Sequence, residues 1–403
     1  MRDIVITSAI RTPVGAYMGS LKTVPPDELA APVLKEALVR SNIHATDVDQ
    51  VIMGHVISHE PNVARLAALL AGFPTNIPAY TVDRQCGSGL QAIIDAALYI
   101  NAGEAEVIVA GGTDVMSRSP YYLPDSVRYQ GFRAGNVEII DAFGYASSHA
   151  HPAKLYPGLN MGITAENIAK RYNISRTAQD EFAYDSQRKW KEAHEAGKFK
   201  DEILPVTVKE RRREFVFDTD EHPKPGTTLE GLSTLKPAFI RDGTGTVTAG
   251  NSSGMNDGAS AVVVMSADAA KKLGCSPLVR VVSVAAAAVD PEVMGLGPVP
   301  AVRKILKETG LTIDDIDLLE CNEAFAAQTL GCLIELGMEP GSKYYDRVNV
   351  NGGAIAHGHA LSNSGPRMLA TMINELKRRN SKYGIVTLCC GGGQGVAVLF
   401  ENC

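Results

Sequence analysis

The chain has 403 residues, 45% hydrophobic and 21% charged, which allows a large core in one compact unit or in two to three domains. A formal net charge of −6 argues against nucleic acid as a partner, and the short basic run at 209–213 is interrupted by an acid and predicts a solvated surface. Seven cysteines without paired metal-ligand spacing indicate neither a zinc site nor a disulfide framework.

The start of the sequence runs directly into a strand pattern, without the basic and apolar regions of a signal peptide. No apolar stretch reaches the length needed to cross a bilayer. A cytoplasmic protein with no membrane partner is therefore expected.

Short apolar runs alternate with longer helical patterns, which predicts an α/β protein with largely buried sheets. In chain order, the patterns predict strands or helices as follows: strand 4–8, helix 92–101, strand 107–110, helix 177–196, strand 279–283, helix 368–379 and strand 385–388. The helix at 177–196 begins with Thr-Ala-Gln-Asp, which is typical of a capped N-terminus.

The order of elements repeats along the chain. An acidic turn that opens a strand occurs at 46–54 and again at 313–321. The repeat predicts two similar α/β halves that meet at a shared boundary. The N-terminal half is predicted at 1–117 together with about 238–272, and the C-terminal half at 273–403. The segment 118–237 fits neither pattern and predicts an inserted loop domain for substrate recognition.

Cys86 precedes a Gly-Ser-Gly turn and a predicted helix. Amides at a helix N-terminus lower the pKa of a thiol and can stabilise an oxyanion, so Cys86 is a candidate nucleophile. A buried structural cysteine is the alternative interpretation.

A histidine in the glycine-rich segment 351–365 can exchange protons with such a thiol. His359 is the candidate, and His357 competes with it by position.

Two further candidates follow predicted strands. Asn322 can hold a water or a carbonyl, although a helix cap also explains it and Glu323 can serve as a base instead. Cys389 ends a predicted strand before a triple-glycine turn that can bind anions. Cys390 competes with Cys389, and the pattern alone does not separate them.

Together these segments resemble the thiolase family over essentially the whole chain, from 8–13 to 391–395 and including 245–259. The resemblance implies a five-layered α-β-α-β-α fold built from two similar halves with an inserted loop domain. It also implies coenzyme A (CoA) thioesters as substrates, no permanently bound cofactor or metal, and a homo-oligomer, either a dimer or a tetramer.

The resemblance assigns roles to the candidate residues. Cys86 matches the nucleophile that becomes acylated, and His359 matches the histidine that activates it. Asn322 matches the asparagine that holds a water, which forms one oxyanion hole with His359. Cys389 matches the cysteine that deprotonates the incoming acetyl-CoA. The backbone amides of Cys86 and Gly391 match a second oxyanion hole.

The resemblance also indicates substrate-binding positions. Ser253 aligns near the pantetheine of CoA, and Lys224 falls where a basic residue contacts the nucleotide. The positions that line the pocket are Met161, Phe239, Ala324 and Phe325.

The sequence departs from the family pattern in three places. Ala360 and Ser362 replace the usual proline and glycine after His359, which is expected to loosen that turn. Asn160 replaces a histidine found in many short-chain members, and the stretch 128–158 differs from the usual loop. These differences are expected to affect acyl-chain preference rather than reaction type.

The function predicted first is acetyl-CoA C-acetyltransferase, which reversibly joins two acetyl-CoA into acetoacetyl-CoA and CoA by ping-pong chemistry. The Cys-Gly-Ser-Gly sequence resembles short-chain biosynthetic members. A degradative 3-ketoacyl-CoA thiolase for longer chains is the alternative. From other classes, a non-catalytic acyl-CoA-binding protein and a hydrolase that does not need Cys389 remain open. We also hypothesise that Cys86 and Cys389 form a disulfide under oxidation.

Overall fold

The computed structural model describes residues 2–57, 59–210 and 213–403. The strands are β1 Ile4–Arg11, β2 Gly15–Ala16, β3 Gln50–Gly54, β4 Ala79–Val82, β5 Val107–Val115, β6 Tyr121–Tyr122, β7 Ile140–Asp141, β8 Val206–Glu210, β9 Arg213–Phe217, β10 Asn256–Ser266, β11 Val279–Ala288, β12 Leu318–Cys321, β13 Tyr383–Cys390 and β14 Gln394–Asn402. The α-helices are α1 Pro26–Ser41, α2 Val63–Leu70, α3 Ser88–Ala102, α4 Ser126–Gln130, α5 Ala142–His149, α6 Met161–Arg171, α7 Arg176–Glu195, α8 Leu229–Ser233, α9 Ala267–Leu273, α10 Pro298–Thr309, α11 Ala326–Leu336, α12 Ala354–His357 and α13 Ser364–Arg379.

The main sheet shows the predicted duplication in its strand order. Its hydrogen-bonded order is β4-β3-β5-β10-β1-β11-β14-β13-β12, and β2 pairs with β10. In the N-terminal half, β3 is parallel to β5, which is antiparallel to β10, which is antiparallel to β1. The C-terminal half repeats this pattern with β12, β13, β14 and β11. The halves join where Ile4 to Ile6 of β1 pair with β11.

Three large hydrophobic cores lie where the helical layers pack against the sheet. Helices α1 and α2 pack on the outer face of the N-terminal half. Helices α3 and α13 lie between the two halves and contact the inner faces of both. Helices α10 and α11 cover the outer face of the C-terminal half. The predicted five-layered α-β-α-β-α fold is confirmed.

The segment between β5 and β10 packs on both halves. Helices α6 and α7 contribute Ile168 and Phe182 to the core of the C-terminal half, whereas the β8–β9 hairpin contributes Val208 to that of the N-terminal half. The exact domain boundaries stay a prediction.

The predicted helix at 177–196 is α7, but the cap predicted at Thr177 is wrong. Ser175 caps the helix, because its hydroxyl accepts the Ala178 N–H at 3.1 Å.

In the basic run at 209–213, Arg211 and Arg212 lie outside the described residues. Lys209 is exposed and lies 3.8 Å from Glu214. Nowhere in the described part of the chain does a helix have both the length and the apolar character that crossing a bilayer requires.

Candidate active site

Cys86 lies in a tight turn immediately before α3. Gln85 adopts a left-handed conformation with φ of +50°, and the Asp83 carboxylate accepts its N–H at 2.7 Å. A Cβ on Gly87 would collide with the sulfur of Cys390. The turn therefore needs glycine at this position so that the Cys86 loop can approach the C-terminal half.

The surroundings of the Cys86 sulfur keep it a neutral thiol at rest. Removal from water raises its pKa to about 12, although the backbone N–H groups of Cys86 and Gly391 point at the sulfur and lower the pKa. The residue is partly buried and lines a cavity. A thiol with this pKa needs a base to become a nucleophile at neutral pH.

His359 is the predicted base, and contacts with Asn256 and Ser364 fix its position. Its backbone N–H donates to the Asn256 side chain at 2.9 Å, and its Nδ1 lies 2.6 Å from the Ser364 hydroxyl. Nε2 is buried and has no hydrogen-bond partner among the described residues. Burial, with the charge of Arg367, lowers the pKa of His359 to about 4. A neutral imidazole with an unengaged Nε2 can accept a proton.

His357 and Glu323, the alternative candidates for the base, are held in the protein interior by other side chains. His357 is fully buried and packs edge-on against Phe199, with ring centroids 5.0 Å apart. The Glu323 carboxylate accepts hydrogen bonds from Ser186 at 2.7 Å and Asn349 at 2.7 Å. Both side chains belong to the interior packing between α7 and the C-terminal half.

Asn322 directly follows β12, and its backbone N–H donates to the Thr387 carbonyl of the neighbouring strand at 3.0 Å. Its side chain is fully buried, yet neither amide atom has a hydrogen-bond partner in the described parts of the chain. An amide in this state is suited to bind a water or a substrate oxygen.

Strand β13 continues through Cys390, so Cys389 lies inside the strand rather than just beyond it. Because side chains alternate along a strand, the two cysteines face opposite sides. Cys390 packs in the core between the halves, whereas Cys389 contacts Met294 and Ala324. Burial and the nearby Cys86 hold the pKa of Cys389 well above its usual range, so it is also a neutral thiol.

The triple-glycine turn after β13 forms a hairpin with β14. Gly392 and Gly393 have φ of +83° and +84°, a conformation that strongly favours glycine. This turn presents the N–H of Gly391 to Cys86.

A cavity of about 370 Å³ connects these features. Cys86, His359 and Gly391 line it, and Met294 and Ala324 bring Cys389 directly behind its wall. The predicted substrate-binding residues that also line it are Met161, Phe239, Ser253, Ala324 and Phe325.

Lys224 lies outside this cavity, in a second one of about 350 Å³. Ala249 and Ser252 line both cavities, so the two adjoin. A ligand that reaches Cys86 from the side of Ser253 can therefore extend to Lys224.

The residues that depart from the family pattern, Asn160, Ala360 and Ser362, each have a clear structural environment. Asn160 caps α6, accepting the Ile163 N–H at 3.1 Å. Ala360 and Ser362 are buried, and Ser362 binds Asp114 through its N–H at 2.9 Å and through its hydroxyl. These bonds hold the turn after His359 in place, and the expectation that it is looser than the usual family turn stays a prediction.

Several residues that line the cavity were not predicted from the sequence. Met294 and Leu361 lie in the lining without any motif to signal them. Helix α5 contributes Phe143, Ala146 and Ser147. This helix belongs to the divergent stretch 128–158, so the departure from the family loop was its only signal.

Cys86 and Cys389 are free thiols, as are the other cysteines of the described residues. The disulfide hypothesis stays a prediction.

Comparison with known proteins agrees with the fold. The family model described as Thiolase, N-terminal domain matches residues 4–268, and that described as Thiolase, C-terminal domain matches 275–402. The chain is 49% identical to an acetyl-CoA acetyltransferase of Cupriavidus necator over 405 residues, with 100% of both chains covered.

Two solved structures are similar over their whole length. The acetyl-CoA acetyltransferase of Bacillus anthracis superposes with a TM-score of 0.93 at 46% identity, covering 100% of this chain and 99% of that one. Human mitochondrial 3-ketoacyl-CoA thiolase in complex with CoA gives 0.92 at 41% identity, covering 100% and 98%. Relatives that match this chain over its full length are acetyl-CoA acetyltransferases by name, so the chain is an acyl-transferring enzyme. The chain belongs to the thiolase family.

Proposed function

We propose that this thiolase catalyses the reversible condensation of two acetyl-CoA into acetoacetyl-CoA and CoA. One observation carries the proposal: Cys86 and His359 line a single cavity, and Cys389 lies directly behind its wall. Two thiols suit this reaction because one carries the acyl group while the other moves a proton on carbon.

In the first half-reaction, the Cys86 sulfur bonds to the thioester carbon of acetyl-CoA while its proton passes to Nε2 of His359. The bond from that carbon to the CoA sulfur then breaks, and the leaving thiolate takes the proton of Cys389. Acetyl-Cys86, an imidazolium and a Cys389 thiolate remain. The neutral thiols of Cys86 and Cys389 supply the two protons that this step moves, and the neutral imidazole of His359 accepts the first of them.

In the second half-reaction, the Cys389 thiolate takes a proton from the methyl group of another acetyl-CoA. The resulting carbanion forms the carbon–carbon bond to acetyl-Cys86. Cys86 then leaves and recovers its proton from His359, which restores the resting enzyme. A water on Asn322 together with His359 stabilises one developing oxyanion, and the N–H groups of Cys86 and Gly391 the other.

We place CoA along the two adjoining cavities, with pantetheine beside Ser253 and the nucleotide towards Lys224. The similar human thiolase that was solved with CoA supports CoA as the ligand. Exchange of Lys224 for alanine removes one charge contact, a loss of about 1 kcal/mol that raises KM for CoA about fivefold. The exposed Lys236, which is outside both cavities, is the matched control, and an equal change in Lys236→Ala contradicts this placement.

A preference for acetyl over longer chains is supported by the relatives named acetyl-CoA acetyltransferase at 49% and 46% identity. The apolar residues of α5 in the cavity wall favour the second candidate, a degradative enzyme for longer ketoacyl-CoA. Steady-state thiolysis of acetoacetyl-CoA and of a long-chain 3-ketoacyl-CoA separates them. A higher kcat/KM for acetoacetyl-CoA supports the first candidate, and a higher value for the long chain overturns it.

We propose that the enzyme works as a homo-oligomer. Strand β4 ends the sheet and has one hydrogen-bonded neighbour among the described strands, so its free edge is available to a second copy. Light scattering at working concentration tests this, and a monomer with full activity contradicts it.

A further inference from the structure

A buried carboxylate behind the cavity wall joins two segments of that wall. Asp114, near the end of β5, is 1% exposed. Its Oδ2 accepts the backbone N–H of Ser362 at 2.9 Å and also the Ser362 hydroxyl. Its Oδ1 accepts the N–H of Val56 at 3.0 Å and lies 3.0 Å from Nδ1 of His55. One side chain of the N-terminal half thus holds both the loop after β3 and the loop after the active-site histidine.

The second of these loops has a strained backbone. Leu361 has φ of +34°, a region that a leucine rarely adopts. Such a conformation persists only where its surroundings impose it. The bonds from Asp114 to the next residue, Ser362, provide that restraint. Leu361 and His359 both line the cavity, so the shape of this turn decides where the imidazole lies.

The turn also determines the partner of the imidazole. Residues 361–363 form a short 3-10 turn that leads into α13. The first residue of α13, Ser364, holds Nδ1 of His359 at 2.6 Å. A shift of the turn would therefore move Ser364 and rotate Nε2 relative to Cys86. The negative charge of Asp114 partly opposes the lowering of the His359 pKa and so favours the imidazolium form, which the proposed reaction creates.

We propose that Asp114 and Ser362 are positioning residues that hold His359 in line with the Cys86 thiol. The inference rests on the proposed role of His359 as the base. The hydroxyl bond of Ser362 to Asp114 adds to the backbone N–H bond, which any residue except proline could make at this position.

The test exchanges one hydroxyl group in each of two variants. Ser362→Ala removes the hydroxyl bond to Asp114 and keeps the backbone N–H bond. Thr113→Val is the matched control, because Thr113 is also buried on β5 but its hydroxyl donates to the Pro26 carbonyl at 3.0 Å. Three quantities are measured: the rate of Cys86 alkylation by iodoacetamide without substrate, kcat and KM for acetoacetyl-CoA thiolysis, and the melting temperature.

We expect Ser362→Ala to slow both alkylation and kcat by about tenfold, since a small misplacement of a catalytic group has a large effect on rate. KM for CoA should stay within about twofold of the wild-type value. Thr113→Val should lower the melting temperature to a similar degree with both rates unchanged. Asp114→Asn, which keeps the side-chain shape, should slow both rates further, by ~100-fold.

Wild-type alkylation and kcat in Ser362→Ala would overturn the inference. An equal loss in Thr113→Val, or a change confined to KM, would also overturn it. Asp114→Asn applies the same criterion if Ser362→Ala does not fold. A wild-type enzyme that does not cleave acetoacetyl-CoA refutes the proposed function instead, while the alkylation rates still decide whether these residues position His359.

Discussion

At the scale of single residues, the site combines neutral groups rather than a resting ion pair. Burial raises the pKa of Cys86 to about 12 and lowers that of His359 to about 4. At neutral pH the thiol and the imidazole are therefore both uncharged. Charge develops in the cavity only when the thiol attacks a substrate. The surrounding N–H groups and the Asn322 amide then stabilise the developing negative charge.

The low pKa of His359 predicts an unusual tolerance of acid. The base is active when neutral, so it is lost only as the pH falls through a pKa of about 4, whereas an ordinary histidine is lost near about pH 6.5. The rate of Cys86 acetylation by acetyl-CoA in a single turnover should therefore stay constant down to about pH 5. A midpoint near about pH 6.5 would show that His359 is solvated and contradict this description.

Asn322 should contribute to rate but little to stability. Its amide is buried without a partner among the described residues, so its exchange for alanine removes an unfavourable desolvated group. We expect Asn322→Ala to keep or raise the free energy of unfolding while kcat falls by about 10²-fold to 10³-fold.

The control for Asn322→Ala is Asn374→Ala. Asn374 is partly buried on α13, where its amide donates to the Ala370 carbonyl at 3.1 Å. Chemical denaturation and steady-state thiolysis measure the two effects. An Asn322→Ala variant that unfolds more easily but turns over normally would assign this residue a purely structural role.

Among the secondary-structure elements, strand β13 explains why the sequence alone could not decide between Cys389 and Cys390 as the acid–base cysteine. Both follow an apolar run and precede glycines, so composition does not distinguish them. The pairing of β13 with β14 fixes the face on which each lies. Cys390 points into the core between the two halves, and Cys389 points towards Met294. Which of the two cysteines faces the cavity therefore depends on how the strand is paired and packed in the folded protein, and the local sequence does not contain that information.

The helix starts differ from their predicted positions for a related reason. Helix α3 begins at Ser88 rather than Ala92, and α13 at Ser364 rather than Met368. In both, a small-residue turn that reads as a loop forms the first helical turn. Close packing requires the small side chains there: a Cβ on Gly89 would collide with the Ser362 carbonyl, and one on Gly365 would lie 2.8 Å from Cβ of Leu90.

The triple-glycine hairpin should be sensitive to a single methyl group. Gly393→Ala combines a φ of +84° with a Cβ that would collide with the Val289 carbonyl. Gly103→Ala is the matched control, because φ is +79° and no atom lies within 4 Å of the added Cβ. We expect the control to lose about 1 kcal/mol of stability with full activity.

Gly393→Ala should lose more stability than the control and also lower kcat, because the turn presents the N–H of Gly391 to Cys86. Thermal melting and thiolysis assays give both values. Equal losses in the two variants would mean that the shape of this hairpin does not affect the reaction.

At the scale of the whole molecule, duplication and layering were predictable because they depend on apolar runs and on the order of elements. The matching orders β3-β5-β10-β1 and β12-β13-β14-β11 carry the repeat that segments 46–54 and 313–321 suggested. The positioning role of Asp114 was not predictable. Its partner Ser362 is 248 residues away along the chain, and only the packing of the two halves brings them together.

The same packing brings Cys86 of one half into the cavity wall and Cys389 of the other half directly behind that wall, and the proposed condensation depends on this arrangement. The most direct test is mass spectrometry of a Cys389→Ala variant after incubation with acetyl-CoA. We predict that one acetyl group accumulates on Cys86, more slowly than in the wild type because Cys389 no longer protonates the leaving CoA thiolate. Acetoacetyl-CoA formation should fall by ~10³-fold, since no thiolate takes the proton from the second acetyl-CoA. A variant that condenses at the wild-type rate, or that carries no acetyl group on Cys86, would contradict the account.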